Sequence, residues 1–404
     1  ATMALAVATA TAPTNIAVVK YWGKRDAKLN LPVNSSLSVT LHQDDLRTVT
    51  SVAASTAYEA DRVWLNGEEQ DVASNKRLQA VFREMRARAG DRVDPATGEV
   101  VIAKADWPQY RLHVVSENSF PTAAGLASSA SGYACLVRAL AELLAVEGEV
   151  SDVARMGSGS ASRSLFGGYV KWDMGVRDDG TDSLASQVAE ASHWPDMHAL
   201  ICVVSDHKKT TSSTGGMIDT VRTSALMAHR AAHVVPERMK AMEAAVLAKD
   251  FGAFAEHTMR DSNSFHATCL DTFPPIKYMT DTSHAICQLV HQINAEAGSP
   301  ICAYTFDAGP NAVIFVEAGH VSGVLPRLLA AFGPAACASE GEFVRGRTTR
   351  SAEDVLAEFP PGEEASQRGA VRYIIHTSVG PGAQIVSDPA LCLLDSETGL
   401  PRGA

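Results

Sequence analysis

A glycine- and serine-rich segment, PTAAGLASSA at residues 121–130, has the composition of a phosphate-binding turn. It follows alternating apolar residues and precedes apolar residues at helical spacing, so it would join a strand to the start of a long helix. The free N–H groups and the positive dipole end of such a helix attract anions. Gly125 would let a phosphate approach the backbone, and Ser128 and Ser129 offer hydroxyls to phosphate oxygens or to a metal. An ordinary loop with a serine cap is the alternative on these residues alone.

Two further segments have a similar composition. The run Gly157-Ser158-Gly159-Ser160 is followed by Arg163, whose guanidinium would add a bidentate charge to backbone and hydroxyl donors. The segment SDHKKTTSSTGGM at residues 205–217 is rich in lysine, hydroxyl and glycine residues. Each segment fits either an anion site or a mobile surface loop, because glycine and serine together most often mark loops.

One carboxylate and two lysines lie where strands are predicted to end. Asp307 begins the turn DAGPN between two apolar runs, and a carboxylate held by rigid strands is well placed to act as a base. A plain hairpin turn is the alternative for Asp307, and a solvated strand edge is the favoured alternative for Lys20 and Lys24. Together, the three segments and the carboxylate suit phosphoryl transfer, which depends mainly on positioning and on charge stabilisation.

The apolar pattern predicts the elements that would hold these residues. Strands are predicted at residues 16–19, 36–41, 110–114, 169–172, 197–204 and 371–378. Helices are predicted at residues 77–89, 133–144 and 283–293, and from Pro236 onward. The polar segment at residues 90–104 is predicted to be a surface loop, and residues 333–369 are predicted to be the least ordered part.

The composition indicates an acidic globular protein of two domains. Its 404 residues exceed one ordinary core, and 46% of them are hydrophobic. The net charge of −11 argues against nucleic acid or an anionic membrane as the main partner, so an anion site must concentrate basic residues in one pocket. No apolar run reaches membrane-spanning length. Seven scattered cysteines without a Cys-x-x-Cys pair indicate reduced thiols and a cytoplasmic location.

The segment at residues 121–130 matches the pattern Pro-x-x-x-Gly-Leu-x-Ser-Ser-Ala, and so resembles the ATP-phosphate loop of the GHMP kinase superfamily. Other segments resemble one family within it, the mevalonate diphosphate decarboxylases: TNIAVVKYWGKRD, LNLPVNSSLSVTL, GSGSASRSLFGGYVKW, DSNSFHATCLDTFPPI, AYTFDAGPNA and TGLPR. These segments are spread over most of the chain. At Ser162 the family usually has Cys, and this small change leaves Arg163 in place.

The resemblance implies an activity. ATP and (R)-mevalonate 5-diphosphate would give ADP, phosphate, carbon dioxide and isopentenyl diphosphate, in the mevalonate pathway of isoprenoid and sterol biosynthesis. The nearest alternative is a sister GHMP kinase that leaves its product phosphorylated, but KYWGK and FDAGPNA are decarboxylase features. The alternative from another class is a metabolite-binding regulator without catalysis, and the joint presence of Asp307, Lys20 and Arg163 argues against it.

The resemblance also implies roles for particular residues. Asp307 would accept or orient the proton of the tertiary 3-hydroxyl, Lys20 would stabilise its negative charge, and Arg163 would bind the carboxylate that leaves as carbon dioxide. Ser129 would be a further catalytic residue and a candidate ligand of Mg²⁺, which would otherwise be held through ATP. The residues that would bind the substrate are Tyr21, Trp22, Gly23, Lys24, Arg77, Ser158, Gly159, Ser160, Ala161, Ser162, Arg163, Ser213, Thr214 and Met217. The residues that would bind ATP are Asn118, Pro121, Gly125, Leu126, Ser128 and Ser129.

The implied fold is α+β, the two-domain GHMP kinase fold. A ribosomal S5 domain 2-like N-terminal domain would span residues 1–194, and a GHMP C-terminal domain would span residues 195–404, with the active site in the cleft between them. Members of the family are usually homodimers, so a homodimer is expected, with a small-molecule substrate and neither nucleic acid nor a membrane as partner.

Overall fold

The computed structural model describes residues 6–120, 128–204, 211–335, 341–360, 367–395 and 397–403. Pro121, Gly125 and Leu126 of the predicted nucleotide loop lie outside the described residues. Within those ranges, no helix is both long and apolar enough to cross a membrane.

The strands, in chain order, are β1 Ala6–Pro13, β2 Asn15–Val19, β3 Lys24–Asp26, β4 Leu31–Pro32, β5 Ser36–Thr40, β6 Arg47–Ser55, β7 Arg62–Leu65, β8 Glu68–Gln70, β9 Arg92–Val93, β10 Val100–Ile102, β11 Arg111–Asn118, β12 Tyr169–Trp172, β13 Ala185–Ala189, β14 Met197–Val203, β15 Cys302–Phe306, β16 Ala312–Glu317, β17 Glu342–Gly346, β18 Arg350–Ser351, β19 Tyr373–Ser378 and β20 Gln384–Ile385.

The α-helices, in chain order, are α1 Lys76–Ala87, α2 Ser128–Leu143, α3 Ser151–Gly157, α4 Ala161–Ser164, α5 Ser213–Thr223, α6 Ala225–His229, α7 Val235–Ala248, α8 Phe251–Asp271, α9 Asp281–Ala297, α10 Val321–Phe332 and α11 Ala352–Glu358. A π-helical turn, Arg230–Val234, joins α6 to α7.

A six-stranded sheet, in the order β20-β1-β6-β11-β7-β8, forms the first layer. Alternate residues of β1, such as Ala8 and Ala10, point to one face and pack with the apolar sides of α1 and α2. The small alanine side chains let α2 lie close to the sheet. On the other face, Ala53 and Trp64 pack against Leu394 of the C-terminal segment. This packing fixes the start of α2 at the edge of the first layer.

Two further sheets share a second core. The four-stranded sheet has the order β13-β12-β5-β2, and the six-stranded sheet has the order β15-β16-β14-β19-β17-β18. One continuous cluster of buried apolar residues contains side chains of both sheets and of α7, α8, α9 and α10. Helix α8 packs against β2 of one sheet and β15 of the other. The ends of these two strands are therefore held by one helix.

Most of the predicted elements lie where the apolar pattern placed them, and β12 has the predicted bounds. Helix α2 begins at Ser128, before the predicted start, because small serine and alanine residues make up its first turn. One prediction is wrong, since the predicted loop at 90–104 contains the paired strands β9 and β10. The described residues of the segment predicted to be least ordered form β17, β18 and α11, and its relative order stays a prediction.

The chain passes from the four-stranded sheet to the second six-stranded sheet near residue 194. Strand β14, which belongs to the third sheet, begins at Met197. After β19 the chain returns to the first layer, where β20 pairs with β1. The division into domains at residues 1–194 and 195–404 stays a prediction.

Gly157, at the end of α3, lies directly against Tyr133 of α2. A Cβ at this position would overlap the ring of Tyr133 on α2, so the two helices pack this closely only with glycine here. We expect Gly157→Ala to lower the free energy of unfolding by about 1–3 kcal/mol, the usual cost of overpacking. The measurement is the denaturant midpoint of unfolding.

Gly132→Ala is the matched control, because Gly132 lies on α2 next to Tyr133. Nothing lies within 4 Å of a Cβ built at Gly132, so we expect this change to be neutral or to stabilise the helix by about 0.5–1 kcal/mol. Equal midpoints for the two variants would show that the Tyr133 contact does not constrain α3.

Candidate active site

A cavity of about 570 Å³ lies between the ends of β2 and β15, the first turns of α1, α2 and α5, and helix α4. The N–H groups of a helix's first turn carry a partial positive charge, so three helix starts make the cavity attractive to anions. The predicted site residues that line it are Lys20, Tyr21, Trp22, Lys24, Arg77, Ser128, Ser129, Ser158, Gly159, Ser160, Arg163, Ser213, Thr214, Met217 and Asp307.

Lys20 and Asp307 form an ion pair at the bottom of this cavity. The Lys20 Nζ lies 2.6 Å from the Asp307 Oδ1. Lys20 is only 2% exposed, whereas the Asp307 side chain is 34% exposed. Each residue follows directly after a buried strand, β2 or β15, so the rigid ends of two sheets set the distance between them. The carboxylate thus faces the cavity while its ammonium partner is buried behind it.

Arg163 on α4 is buried but keeps its charge available. Its Nη1 donates to Ser36 Oγ at 2.6 Å, and its Nε donates to Ser38 Oγ at 3.0 Å and to Asn15 Oδ1 at 3.3 Å. These partners are neutral oxygens. Burial lowers the pKa of Arg163 to about 10, while Asp307 acts in the opposite direction, so the guanidinium remains cationic at neutral pH. The serine side chains of β5 therefore orient a cation rather than meeting water.

Two rings and a glycine shape one wall of the cavity. The rings of Tyr21 and Trp172 meet edge to face, with centroids 4.7 Å apart. A Cβ at Gly159 would lie 2.8 Å from Tyr21 Cε1, so glycine lets the backbone pass against this ring. Burial raises the pKa of Tyr21, and its hydroxyl has no hydrogen-bond partner among the described residues. The wall therefore carries a protonated phenol with no partner in the protein.

Two further contacts join the segments that line the cavity. Arg77 Nη2 donates to Thr214 Oγ1 at 2.8 Å, which joins the start of α1 to the start of α5. The hydroxyl oxygens of Ser129 and Ser158 lie 3.2 Å apart, which joins α2 to the turn after α3. The two contacts bring together segments that lie apart in the sequence and that the sequence analysis treats one by one.

Four predicted residues lie outside the cavity lining. A Cβ at Gly23 would lie 2.7 Å from side-chain atoms of two valines, so this glycine allows close packing behind the wall. Ser162 donates to the Gly159 carbonyl at 2.8 Å. The Oδ1 of Asn118, at the end of β11, accepts from Thr48 Oγ1 at 2.7 Å. These four residues are Gly23, Ala161, Ser162 and Asn118.

Comparison with known proteins identifies the family of this chain. The model of the mevalonate 5-diphosphate decarboxylase C-terminal domain matches residues 199–386, and that of the diphosphomevalonate decarboxylase-like N-terminal domain matches residues 12–185. The diphosphomevalonate decarboxylase of Rattus norvegicus is 52% identical over 396 residues, which cover 98% of this chain and 96% of the relative. The chain belongs to the diphosphomevalonate decarboxylase family.

Solved structures of the decarboxylase family share the fold. A crystal structure of mevalonate 5-diphosphate decarboxylase has a TM-score of 0.82 and 47% identity, and the match covers 98% of this chain and 100% of that one. A structure of MDDEF in complex with MVAPP, AMPPCP and magnesium has a TM-score of 0.73 and 30% identity, and the match covers 95% of this chain and 100% of that one. The predicted family, fold class and decarboxylase function are confirmed.

Several residues of this decarboxylase site were not predicted. Asn15 binds the Ser160 carbonyl through Nδ2 at 3.0 Å while its Oδ1 accepts from Arg163. It opens the apolar run of β2, and no local pattern marks it as functional. The unpredicted residues in the cavity lining are Asn15, Ala17, Asn30, Ser212, Phe265 and Ala308.

His266 on α8 was also not assigned a role, although it lies within one of the motifs that carry the resemblance. It is buried beside the ion pair, and burial, followed by the charge of Lys20, lowers its pKa to about 3. The imidazole is therefore neutral at physiological pH and adds no charge to the Lys20–Asp307 pair.

Lys24 gives the site a testable pH dependence. Burial, and then the charge of Arg77, lower the pKa of Lys24 to about 8. Its ammonium is thus present below that pH and is lost above it. We expect kcat/KM for mevalonate 5-diphosphate to fall as the pH rises through about 8, because kcat/KM reports ionisations of the free enzyme.

Lys24→Arg is the control for this pH dependence. A guanidinium keeps its charge throughout this pH range, so the variant should lose the fall in kcat/KM near pH 8. The same fall in both proteins would assign the titration to another group.

Proposed function

We propose that this cavity binds (R)-mevalonate 5-diphosphate beside Mg²⁺·ATP and converts it to isopentenyl diphosphate, with release of ADP, phosphate and carbon dioxide. The observation that carries the proposal is the Lys20–Asp307 pair, at 2.6 Å, in a cavity whose other charged lining residues in the described ranges are cations. A single carboxylate among cations suits a substrate with one reacting hydroxyl and several anionic groups.

Asp307 is the residue proposed to act on the tertiary 3-hydroxyl. Lys20 engages Oδ1, which leaves Oδ2 to accept or orient the hydroxyl proton. Phosphorylation of a tertiary alcohol is sterically hindered, so the hydroxyl must be held in line with the group it attacks. Two strand ends hold the carboxylate for this purpose, and the buried ammonium stabilises its negative charge.

Arg163 is proposed to bind the carboxylate that leaves as carbon dioxide. Its serine partners fix the plane of the guanidinium without neutralising it, so it can pair with an anion. Arg77, Lys24 and Thr214 are proposed to hold the diphosphate. Positive charge develops at C3 as phosphate departs, and cations that bind the diphosphate and the carboxylate leave C3 itself free of a neighbouring cation.

The start of α2 is proposed to hold the phosphates of ATP. Ser128 and Ser129 open this helix, whose first N–H groups suit phosphate oxygens. When bound, Mg²⁺·ATP supplies the phosphoryl group that makes the 3-hydroxyl a leaving group. The described residues contain no cluster of three acidic, histidine or cysteine side chains that could hold a metal, which fits an ion held through ATP, with Ser129 as a candidate ligand.

Other parts of the prediction are also proposals. Asn118 and the residues outside the described ranges, Pro121, Gly125 and Leu126, are proposed to contribute to the ATP site. The two domains, the homodimer and the cytoplasmic location stay predictions, of which only the homodimer rests on the family alone.

The decisive experiment measures the three products together. The purified protein is incubated with Mg²⁺·ATP and mevalonate 5-diphosphate, and ADP, free phosphate and carbon dioxide are quantified. We expect equal release of all three. ADP without carbon dioxide or free phosphate would indicate a kinase that stops at the phosphorylated alcohol, and binding of both ligands without ADP would indicate a regulator.

Asp307→Asn should lower kcat by about 10²–10⁴-fold and leave KM for mevalonate 5-diphosphate nearly unchanged, because a positioned base contributes that much to the rate. The amide keeps the shape of the side chain but accepts a proton poorly. Steady-state kinetics measure both constants.

Asp178→Asn is the control, since the Asp178 side chain is fully exposed and does not line the cavity. It should retain the kcat of the unmodified protein. A near-normal kcat for Asp307→Asn would remove Asp307 from the role of base.

A further inference from the structure

One turn of α8 contacts the main chain beside both members of the catalytic pair. Asp261 Oδ1 accepts from the backbone N–H of Lys20 at 2.7 Å. The next residue, Ser262, accepts through its Oγ from the backbone N–H of Phe306 at 3.1 Å, and Phe306 directly precedes Asp307. Two consecutive helical residues thus hold the ends of β2 and β15, which belong to different sheets.

Asp261 is the centre of a buried charge cluster. It is fully buried, and it accepts from Arg230 Nη2 at 2.7 Å, from Arg230 Nη1 at 3.0 Å and from Arg238 Nη1 at 3.0 Å, in addition to Lys20. Although burial alone would raise the pKa of Asp261, the charges and hydrogen bonds of these partners lower it. The carboxylate is therefore ionised and has a donor for each of its oxygens.

Arg230 has contacts that Arg238 lacks, among them a hydrogen bond from its Nη1 to Ser264 Oγ at 3.0 Å. Arg230, in the π-helical turn, also donates from Nη2 to the Lys20 carbonyl at 3.3 Å. Asp261 thus binds the Lys20 N–H, and Arg230 binds the Lys20 carbonyl together with Asn34, whose Nδ2 donates to it at 3.0 Å. Arg238 binds the same carboxylate from α7, with no recorded contact to Lys20 in the described chain.

A gain in stability does not by itself explain such a cluster. A buried ion pair often stabilises a fold no more than well-packed apolar residues do, because its desolvation offsets its attraction. Here the cluster ends on the backbone of one residue, Lys20, whose side chain meets Asp307. Positioning of reacting groups, in contrast, is sensitive to shifts of about 1 Å, which can cost about 10²-fold in rate.

We propose that Asp261 and Arg230 are positioning residues: they fix the backbone of Lys20, and Ser262 fixes the backbone before Asp307, so that the ammonium and the carboxylate meet in the geometry needed for the reaction. This proposal rests on the roles proposed above for Lys20 and Asp307. Substrate affinity is proposed to depend mainly on Arg163 and Arg77, whose side chains bind Asn15, Ser36, Ser38 and Thr214 rather than residues of α8.

The test compares the same chemical change at the two arginines. In Arg230→Lys the ammonium can still pair with Asp261 but cannot also reach the Lys20 carbonyl, whereas Arg238→Lys leaves every recorded Lys20 contact in place. We expect Arg230→Lys to lower kcat about tenfold or more, with KM for both substrates within about twofold, because positioning acts on the transition state. Arg238→Lys should keep kcat within about twofold.

Two measurements separate positioning from a loss of folded protein. Titration with AMPPCP counts the binding sites, so that kcat is expressed per site. Ser262→Ala leaves the charges intact and removes the bond to the Phe306 N–H, and it should also lower kcat without raising KM. If Arg230→Lys does not fold, this variant still tests whether α8 positions the pair, through the backbone before Asp307.

Equal values of kcat per site for the two arginine variants, or losses that appear only in KM or in the number of sites, would overturn the positioning role. An unchanged kcat for Ser262→Ala would overturn the part that concerns Asp307. The unmodified protein is assayed in parallel: if it released no carbon dioxide, the proposed function itself would fail, whereas an active protein with equal arginine variants would refute the positioning role alone.

Discussion

The ion pair between Lys20 and Asp307 is the interaction on which the rest of the structure depends. A lysine that is 2% exposed is costly without a partner, and here the partner carboxylate lies 2.6 Å away, directly after a strand of another sheet. The two strands can end at the same point only because α8 packs against both. The pair therefore couples the packing of the core to the chemistry of the cavity, since a shift of α8 would move one partner relative to the other.

The cavity lining is basic, although the protein as a whole is acidic. The chain carries a net charge of −11, yet the cavity lining described here has four basic side chains and one acidic one. The helix starts add partial positive charges that stay fixed during a reaction. Arg163 illustrates how such a site keeps its charge available: because serine oxygens rather than carboxylates hold it, its orientation is set while its attraction for a substrate anion remains.

The sequence predicts what depends on neighbours along the chain, and it fails where partners are distant. The strands before Lys20 and Asp307 follow from apolar runs, and the start of α2 follows from a turn of small residues. Helix α8 was not predicted, because its buried polar residues, such as Asp261 and His266, interrupt the apolar period. The backbone N–H that Asp261 accepts from belongs to Lys20, which lies 241 residues away in the chain. In contrast, α11 begins with a local capping box, Ser351 with Asp354, that could have been found within the polar segment.

Ser162 shows how a departure from the usual sequence of the family can preserve a site. It lies beside Arg163, in a position where the family usually has Cys, and it is fully buried. Its hydroxyl donates to the Gly159 carbonyl at 2.8 Å and closes the turn that leads from the Ser158 hydroxyl to Arg163. A thiol is a weaker donor with a longer bond, so serine holds this turn at least as firmly as cysteine would. The turn, rather than the identity of residue 162, is what places the Arg163 guanidinium against Ser36.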